Sequence, residues 1–247
     1  MVTEYRSRPR EEAAERIECY IIQNKLSVHD RLPSERDMCE MWSLNRSTLR
    51  SAIRRLTAEG ILYSKVGSGT FVAPPKFERC LQDAEVDGFG RMVESAGRRV
   101  TTQVVSARIC EATKQLSRKM HVMMGHRLFE TVRLRYLDEI PVLLVTSYID
   151  ADRAPGIDQY DFSKCSLYST LKEQYGIAIC GGEEIVNVTY TDKEESELLN
   201  IPENAPVFYQ SGVVFDQEKV PVEYFKAIVR SEYIRFVSTL TTKKPKE

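Results

Sequence analysis

The chain has 247 residues, of which 42% are hydrophobic and 29% charged, enough for one or two domains with apolar cores. Its formal net charge of −1 excludes a chain that is basic throughout. No apolar run reaches the ~20 residues of a membrane-spanning helix, and the first residues lack a hydrophobic signal segment. We therefore expect a protein that stays in the cytoplasm and has no membrane partner.

Cysteines and histidines are spread along the chain without a CxxC pair or a mixed cluster. Zinc sites need such ligands at short, regular spacings, so we expect no bound metal and no cofactor. The cysteines are expected to be reduced thiols. They are Cys19, Cys39, Cys80, Cys110, Cys165 and Cys180.

The first third of the chain has the pattern of a helix over residues 10–26 followed by two short helices joined by a tight turn. Ser34 and Asp37 have the spacing of a capping box, in which each side chain accepts from the other residue's backbone N–H. The apolar residues that follow recur at the spacing of one buried helical face. These residues are Met38, Met41 and Trp42.

A further helix is predicted after the turn, because Asn45 can cap its start and Gly60 favours the left-handed conformation that ends a helix. Arg46, Arg50 and Arg54 recur every four residues on its polar side. Its opposite, apolar side carries Leu49, Ala52, Ile53 and Leu56. Two helices joined by a three-residue turn, the second presenting arginines near its start, predict a helix-turn-helix.

Two short β-type runs, residues 61–63 and 70–72, enclose a turn that contains Gly67 and Gly69. Glycines allow the tight turn of a hairpin and let its tip approach another backbone, as the wing of a winged helix does. Between residues 43 and 72, five basic residues stand against one acidic residue, a local charge of +4. Such a small basic patch predicts a contact with phosphate groups that two copies of the chain make together.

The blocks LPSER, NRSTLRSAIRRLTAEGIL and GSGTFV resemble the N-terminal domain of GntR-family bacterial transcription regulators over roughly residues 10–73. The resemblance implies contacts with double-stranded DNA. Arginine suits guanine in the major groove, and hydroxyls at a helix start suit phosphate oxygens. Family members usually carry Ser at Asn45, a change that keeps the cap but can alter the sequence read. The implied contacts are Arg36, Asn45, Arg46, Ser47, Thr48, Arg50 and Gly67.

After Pro74 and Pro75, which halt regular structure, the pattern changes to strands with a few helices. We predict a DNA-binding domain over residues 1–75, a linker over 76–88, a second domain over 89–247 and a frayed tail from 241. Hairpin-linked strands mixed with helices indicate an α+β domain on an antiparallel sheet. Strands are predicted at 100–109, 128–137, 142–149, 185–190, 207–215 and 220–230, and helices at 111–120, 166–175 and 192–199.

The second half resembles the UTRA effector domain of the HutC-type subgroup in the blocks VRLRYLDEIPVLLVTSYID, CSLYSTLKEQYG and PVEYFKAIVRSEYIRF. UTRA domains have a chorismate lyase-like fold. The resemblance therefore implies an N-terminal winged helix-turn-helix joined to a chorismate lyase-like domain with an antiparallel sheet. It also implies a transcription regulator, expected to be a repressor, whose operator affinity a small-molecule effector controls.

Arg133 and Arg135 lie two residues apart on a predicted strand and thus on one face. Two like charges side by side repel each other, which favours a bound anion between them. The alternative interpretation is that both arginines face solvent. Ser166 begins a predicted helix, whose free N–H groups favour an anion. In family members that bind sugar phosphates, the arginine pair, this Ser and Tyr168 surround the phosphate, and Glu223 is a further family position present here. We therefore expect a small anionic effector, with a phosphorylated sugar as one candidate.

Three departures affect the half of the pocket that would recognise a sugar. Sugar-phosphate binders tend to have Glu where this chain has Val145, and an aromatic residue near Val229. Their loop of hydroxyl residues around Phe89 is here Gly88–Arg91, without a hydroxyl.

Two other functions stay open from the sequence. A chorismate lyase-like enzyme would need an acid–base group, for which Glu183, Glu184 and Glu223 are candidates without a recognisable catalytic partner. No nucleophile elbow, Walker loop or metal-ligand spacing occurs, so we assign no catalytic residue. The second open function is that of a DNA-binding protein that needs no ligand and whose second domain serves only for dimerisation. Since one winged helix reads few base pairs, we expect a homodimer on a palindromic operator.

Overall fold

The computed structural model describes residues 9–65, 67–80, 89–95 and 97–238. It divides the chain into two compact units between Phe77 and Glu78, close to the expected boundary at residue 75. Most of the expected linker (residues 81–88, with Gly88) and the expected frayed tail from 241 lie outside the described residues. None of the described helices is long and apolar enough to cross a bilayer.

In its described residues, the first unit, which we call the winged-helix unit, has three helices and a two-stranded hairpin. They are α1 (Pro9–Gln23), α2 (Glu35–Trp42), α3 (Arg46–Glu59), β1 (Leu62–Lys65) and β2 (Gly69–Val72). Helix α1 ends three residues before the predicted end, because Lys25 takes a left-handed backbone conformation with φ of 51°. The hairpin is antiparallel, with Leu62 opposite Val72.

The predicted helix caps of this unit are confirmed. The Ser34 hydroxyl accepts from Asp37 N–H and the Asp37 carboxylate accepts from Ser34 N–H, which completes the capping box. Asn45 Oδ1 accepts from Thr48 N–H at 2.8 Å and so begins α3. Gly60 ends α3 in the left-handed conformation with φ of 80°.

The core of the winged-helix unit lies where α1, α2 and α3 meet. All four predicted apolar positions of α3 are buried. Met38 is buried as well, but the prediction for Met41 is wrong, since its side chain is 52% exposed. Helix α2 has only eight residues, and Met38 and Trp42, one turn apart, fill its narrow inner side and leave Met41 facing outward.

The second unit, the sheet unit, is an α+β domain on an antiparallel sheet, as predicted. Its six-stranded sheet has the order β4-β5-β6-β9-β8-β7, and β3 pairs with β10 in a separate two-stranded ribbon. The elements are β3 (Phe77–Cys80), α4 (Phe89–Ser95), β4 (Val100–Glu111), α5 (Lys114–Met120), β5 (Arg127–Leu137), β6 (Ile140–Asp150), a 3-10 turn (Ile157–Gln159), α6 (Leu167–Tyr175), β7 (Ile179–Tyr190), α7 (Lys193–Leu199), β8 (Pro206–Asp216), β9 (Pro221–Val229) and β10 (Ile234–Val237).

The main differences from the sequence-based expectation concern β3, α4 and β7. Strand β3 occupies part of the expected linker, because β10, which was not predicted, pairs with it. Helix α4 was not predicted, and it begins in the segment that corresponds to a loop of hydroxyl residues in sugar-phosphate binders. Strand β7 begins six residues before the predicted start and includes Gly181 and Gly182, which look like strand breakers. A Cβ on Gly182 would lie 3.0 Å from the Val213 carbonyl oxygen, so glycine here allows β7 to pack closely on β8.

Helices cover the two faces of the sheet differently. On one face, α6 packs on a core that includes Phe129, Ile149 and Phe225. On the other face, residues of α5 and α7 pack on two smaller apolar clusters. The first face carries the predicted effector residues, and we call it the pocket face.

The cysteines with described side chains are all free, and the side chain of Cys80 lies outside the described residues.

The single tryptophan, Trp42, provides a test of the winged-helix core. It packs edge-on against Tyr20 with ring centroids 6.0 Å apart, so its fluorescence reports on this unit. Leu49→Ala should lower the free energy of unfolding measured by Trp42 fluorescence in urea by about 2–5 kcal/mol, because it leaves a cavity at a fully buried position. Arg54→Ala, on the exposed side of the same helix, should change it little. Equal midpoints for both variants would contradict this core.

Candidate functional site

The start of helix α3 presents the predicted DNA contacts on the surface of the winged-helix unit. Arg46, Ser47 and Arg50 are exposed, and Thr48 is half-buried. Asn45 Oδ1 is occupied, because it accepts from the Ser47 hydroxyl at 2.7 Å as well as from Thr48 N–H. Asn45 therefore shapes the helix start directly, and its amide nitrogen is the group left to face a ligand.

Two of the predicted contact arginines are held by carboxylates. Arg50 Nε lies 2.8 Å from Glu35 and Arg36 Nε lies 3.0 Å from Glu40. Both pairs are exposed, where such ion pairs contribute only about 0–1 kcal/mol. A DNA phosphate can therefore replace either carboxylate at little cost. Gly67, at the tip of the hairpin, is exposed with φ of 73°.

Four of the five predicted effector residues form one cluster on the pocket face, and Ser166 caps the helix that carries one of them. Arg133 is 4% exposed, and its Nη2 donates to Ser147 Oγ at 2.8 Å and lies 4.0 Å from Glu223 Oε1. The Tyr168 hydroxyl donates to Glu223 Oε2 at 2.5 Å. Burial, followed by the negative charge of Glu223, holds the pKa of Tyr168 well above its usual value, so this hydroxyl remains a neutral donor.

Arg135 lies beside Arg133 and is partly buried. Burial, together with the positive charge of Arg133, lowers the pKa of Arg135 to about 9, so it remains cationic at neutral pH. Burial also lowers the pKa of Arg133. Among the described residues, the Nε atoms of both arginines are buried without a hydrogen-bond acceptor. The cluster thus holds two cations against the single carboxylate of Glu223.

Ser166 begins helix α6, as predicted. It is the exposed N-cap of α6, and its hydroxyl accepts from Ser169 N–H at 3.4 Å. It therefore orients the helix that carries Tyr168. On the other side of the cluster, Gly90 of α4 approaches Arg135, since a Cβ built on it would lie 3.7 Å from Arg135 Nη1.

The departures from sugar-phosphate binders lie on the pocket face. Val145 is directly opposite Arg133 in the sheet and packs partly buried on the core of this face. Val229 is 1% exposed. Neither side chain can form hydrogen bonds with sugar hydroxyls, which agrees with the sequence-based reading of these two positions.

The sequence missed a second polar cluster on the pocket face. Arg79 of β3 donates to Gln210 Oε1 at 2.7 Å and to Glu184 Oε2 at 3.0 Å. The sequence does contain a signal for this cluster in the alternation of inward and outward residues along β8. Gln210 occupies an inward position that apolar residues usually fill. Of the three acid–base candidates, Glu184 and Glu223 are therefore held near arginines, and Glu183 is exposed.

One histidine also contacts carboxylates. His126 Nε2 lies 2.7 Å from Asp150 Oδ1 and 3.8 Å from Asp152 Oδ2. Arg127 Nη1 lies 3.6 Å from Asp152 and already neutralises part of the charge of this group. These contacts join the start of β5 to the end of β6. The sequence did not predict them, because the residues are distant along the chain.

The fold defines a winged-helix DNA-binding protein with a separate antiparallel-sheet domain, which is the architecture of a bacterial transcription regulator. Residues 9–72 match the family described as "Bacterial regulatory proteins, gntR family", and residues 95–235 match the UTRA domain. The chain belongs to the GntR family, and its UTRA domain and its relatives make it a regulator of the HutC type.

Named relatives agree with this assignment. The uncharacterized HTH-type transcriptional regulator YurK of Bacillus subtilis is 30% identical over 192 residues, 78% of each chain. The histidine utilization repressor of Pseudomonas aeruginosa is 30% identical over 178 residues, 72% of this chain and 70% of the repressor. The crystal structure of PhnF from Mycobacterium smegmatis has the same fold, with a TM-score of 0.67, 24% identity, and coverage of 92% of this chain and 99% of PhnF.

Proposed function

We propose that this regulator is a repressor whose affinity for its operator is controlled by a small anionic metabolite bound on the pocket face. The arginine cluster supports this proposal. One buried and one partly buried guanidinium lie beside a single carboxylate, which is costly unless further partners compensate the charge. An anion that accepts from Arg133 and Arg135 would supply this compensation.

The chemistry of the neighbouring groups defines the class of effector. The N-terminus of the nine-residue helix α6, capped by Ser166, favours negative charge, and Tyr168 on this helix already donates its hydroxyl proton to Glu223. Glu223 orients Tyr168 and Arg133 through the contacts described above. A phosphorylated sugar is one candidate, provided that residues other than Val145 and Val229 recognise its hydroxyl groups.

Control of DNA binding requires that the effector binds one arrangement of the two winged-helix units of a dimer more tightly than another. A coupling free energy of about 1–3 kcal/mol would change operator affinity roughly 5- to 150-fold. Our proposed transmitter is the segment expected as the linker, residues 76–88, because it begins at the boundary between the two units along the chain.

The effector site can be tested with Arg135→Gln. A metabolite panel followed by the melting temperature should identify an anion that stabilises the wild type without being consumed. The variant should bind that anion roughly 10- to 100-fold more weakly, since it loses a charge-assisted hydrogen bond. It should still bind operator. Arg127→Gln, an exposed arginine on the same strand, is the matched control. Consumption of the anion would indicate an enzyme, and unchanged binding by Arg135→Gln would place the effector elsewhere.

For DNA binding, we propose that the start of α3 enters the major groove. Arg36, Arg46 and Arg50 would contact bases or phosphates. Asn45, Ser47 and Thr48 would contact the backbone at the helix start, and Gly67 would let the wing approach the neighbouring groove. The exposure of these arginines and the low cost of breaking their ion pairs support this arrangement.

Duplexes selected from a random pool by the wild type provide the substrate for a DNA-binding test. Arg46→Ala should lower affinity for the selected duplex by about 1–3 kcal/mol, which is roughly 5- to 150-fold, and leave nonselected DNA less affected. Arg54→Ala, two turns further along the exposed side, should weaken binding to all duplexes equally and reduce the salt dependence. Equal binding of the selected duplex by Arg46→Ala and wild type would exclude α3 as the recognition helix.

We further propose a homodimer that pairs along strand β7 and binds a palindromic operator. Strands β4 and β7 are the two edges of the sheet. The register of β4 is interrupted between Val104 and Ser106, whereas that of β7 is continuous from Gly181 to Tyr190. Strand β7 also exposes three apolar side chains at its edge, and such an edge is a template for pairing with another chain. They are Ile185, Val188 and Tyr190.

The dimer can be tested by light scattering on the full chain. The wild type should have twice the chain mass of 28.4 kDa at micromolar concentration. Val188→Lys should raise the dimer dissociation constant roughly tenfold or more, because it places a charge in the proposed interface. Val105→Lys, the same change on the opposite edge, should leave the dimer intact. A monomeric wild type, or dissociation by Val105→Lys alone, would contradict this interface.

A further inference from the structure

Three side chains on the pocket face form a closed polar cluster, which we call the Arg79 triad: Arg79, Glu184 and Gln210. The Arg79 guanidinium donates to Gln210 Oε1 at 2.7 Å and to Glu184 Oε2 at 3.0 Å. The Gln210 amide donates in turn to the same Glu184 oxygen. Gln210 is fully buried, whereas the side chains of Arg79 and Glu184 are 25% and 23% exposed. Solvent therefore reaches the ion pair but not the amide.

The triad attaches the two-stranded ribbon to the main sheet. Arg79 belongs to β3, whereas Gln210 and Glu184 belong to β8 and β7. An aromatic contact lies beside it, since Phe236 of β10 packs edge-on against Phe208 of β8 with centroids 5.3 Å apart. The Arg79 guanidinium lies 5.8 Å from the centre of the Phe236 ring. Arg79 is thus a polar attachment of β3 to the sheet.

The triad and the arginine cluster lie on one row across the pocket face. Arg133 is opposite Val145, Val145 is opposite Ala227, and Ala227 is opposite Gln210. Directly opposed residues point to the same face, and three strand spacings separate the ends of the row by about 14 Å. Along this row, the small side chains of Val145 and Ala227 lie between the two ends, and an arginine side chain is long enough to extend over such a neighbour.

Tyr168 lies within electrostatic range of both ends of the row. The positive charges of Arg133 and of Arg79 each oppose the rise in its pKa. An anion bound between Arg133 and Arg79 would therefore attract both guanidiniums, whereas Glu223, beside the Tyr168 hydroxyl, lies close to Arg133 alone of the two. Glu184 is the carboxylate that currently holds Arg79, so a bound anion would compete with Glu184 for Arg79.

We propose that Arg79 is a third anion-binding guanidinium of the effector site, and that its exchange between Glu184 and the bound anion alters the attachment of β3. The proposal rests on the effector site proposed above and adds a residue and a regulatory step to it. The exchange costs little, because partly exposed ion pairs are weak. Gln210 can keep its hydrogen bond to Glu184 when Arg79 leaves. Strand β3 directly follows the winged-helix unit along the chain, so the change is delivered next to that unit.

The competition can be measured with inorganic phosphate as the probe, titrated into the full-length protein by calorimetry at constant ionic strength. Glu184→Gln should bind phosphate roughly two- to fivefold more tightly, since Arg79 loses its competing carboxylate. Arg79→Gln should bind it more weakly by a similar factor. Glu183→Gln removes the same charge from the adjacent, exposed position of β7 and should bind phosphate as the wild type does.

The double variant Arg79→Gln/Glu184→Gln separates competition from simple repulsion between Glu184 and phosphate. In the Arg79→Gln background, Glu184→Gln should give no gain in affinity, because no guanidinium remains to be released. The same gain in both backgrounds would overturn the proposal, and so would equal affinities of Glu184→Gln and Glu183→Gln.

Hydrogen exchange provides an independent readout of the attachment of β3. Phosphate should change the protection of the β3 and β10 amides in the wild type but not in Arg79→Gln. Unchanged protection in the wild type at saturating phosphate would overturn the regulatory step. If the wild type binds phosphate and Arg135→Gln does not, the proposed effector site is supported. A lack of effect of the Arg79 and Glu184 variants would then contradict only the role proposed for Arg79. No binding of phosphate by the wild type would contradict both proposals.

Discussion

The sheet unit depends on the cost of burying the charge of Arg133. A guanidinium that is 4% exposed must find its partners inside the protein, and it finds them on Ser147 of β6 and Glu223 of β9. Glu223 in turn receives the Tyr168 hydroxyl of α6. One buried charge therefore constrains two neighbouring strands and the covering helix. Removing any of these partners would leave a polar group without compensation in a region of low dielectric.

The two units use positive charge in opposite ways. In the winged-helix unit, arginines project from a rigidly capped helix, and their carboxylate partners are exposed and easily replaced. In the sheet unit, Arg133 is buried and Arg135 is partly buried, so solvent screens their charges less and a single ligand charge has a larger effect. The first arrangement suits the long, highly charged backbone of DNA. The second suits a small anion whose presence must be detected.

Local structure was predicted well wherever neighbouring residues decide it. The caps at Ser34, Asn45 and Gly60 were found from residue type and spacing, because their hydrogen bonds span only a few positions. Predictions were wrong where packing decides. Strand β3 exists only because β10 pairs with it, and Met41 faces outward only because α2 is short.

The sequence by itself determined the helix caps, the polar side of α3 and the placement of Arg133 and Arg135 on one face of a strand, since each follows from the period of its own element. Only the tertiary structure brought Tyr168 to Glu223, 55 positions apart, and Arg79 to Gln210, 131 positions apart. The order and register of the strands decide these contacts, and they arise from packing of the whole sheet. A site assembled across a sheet therefore becomes visible only when the sheet is formed.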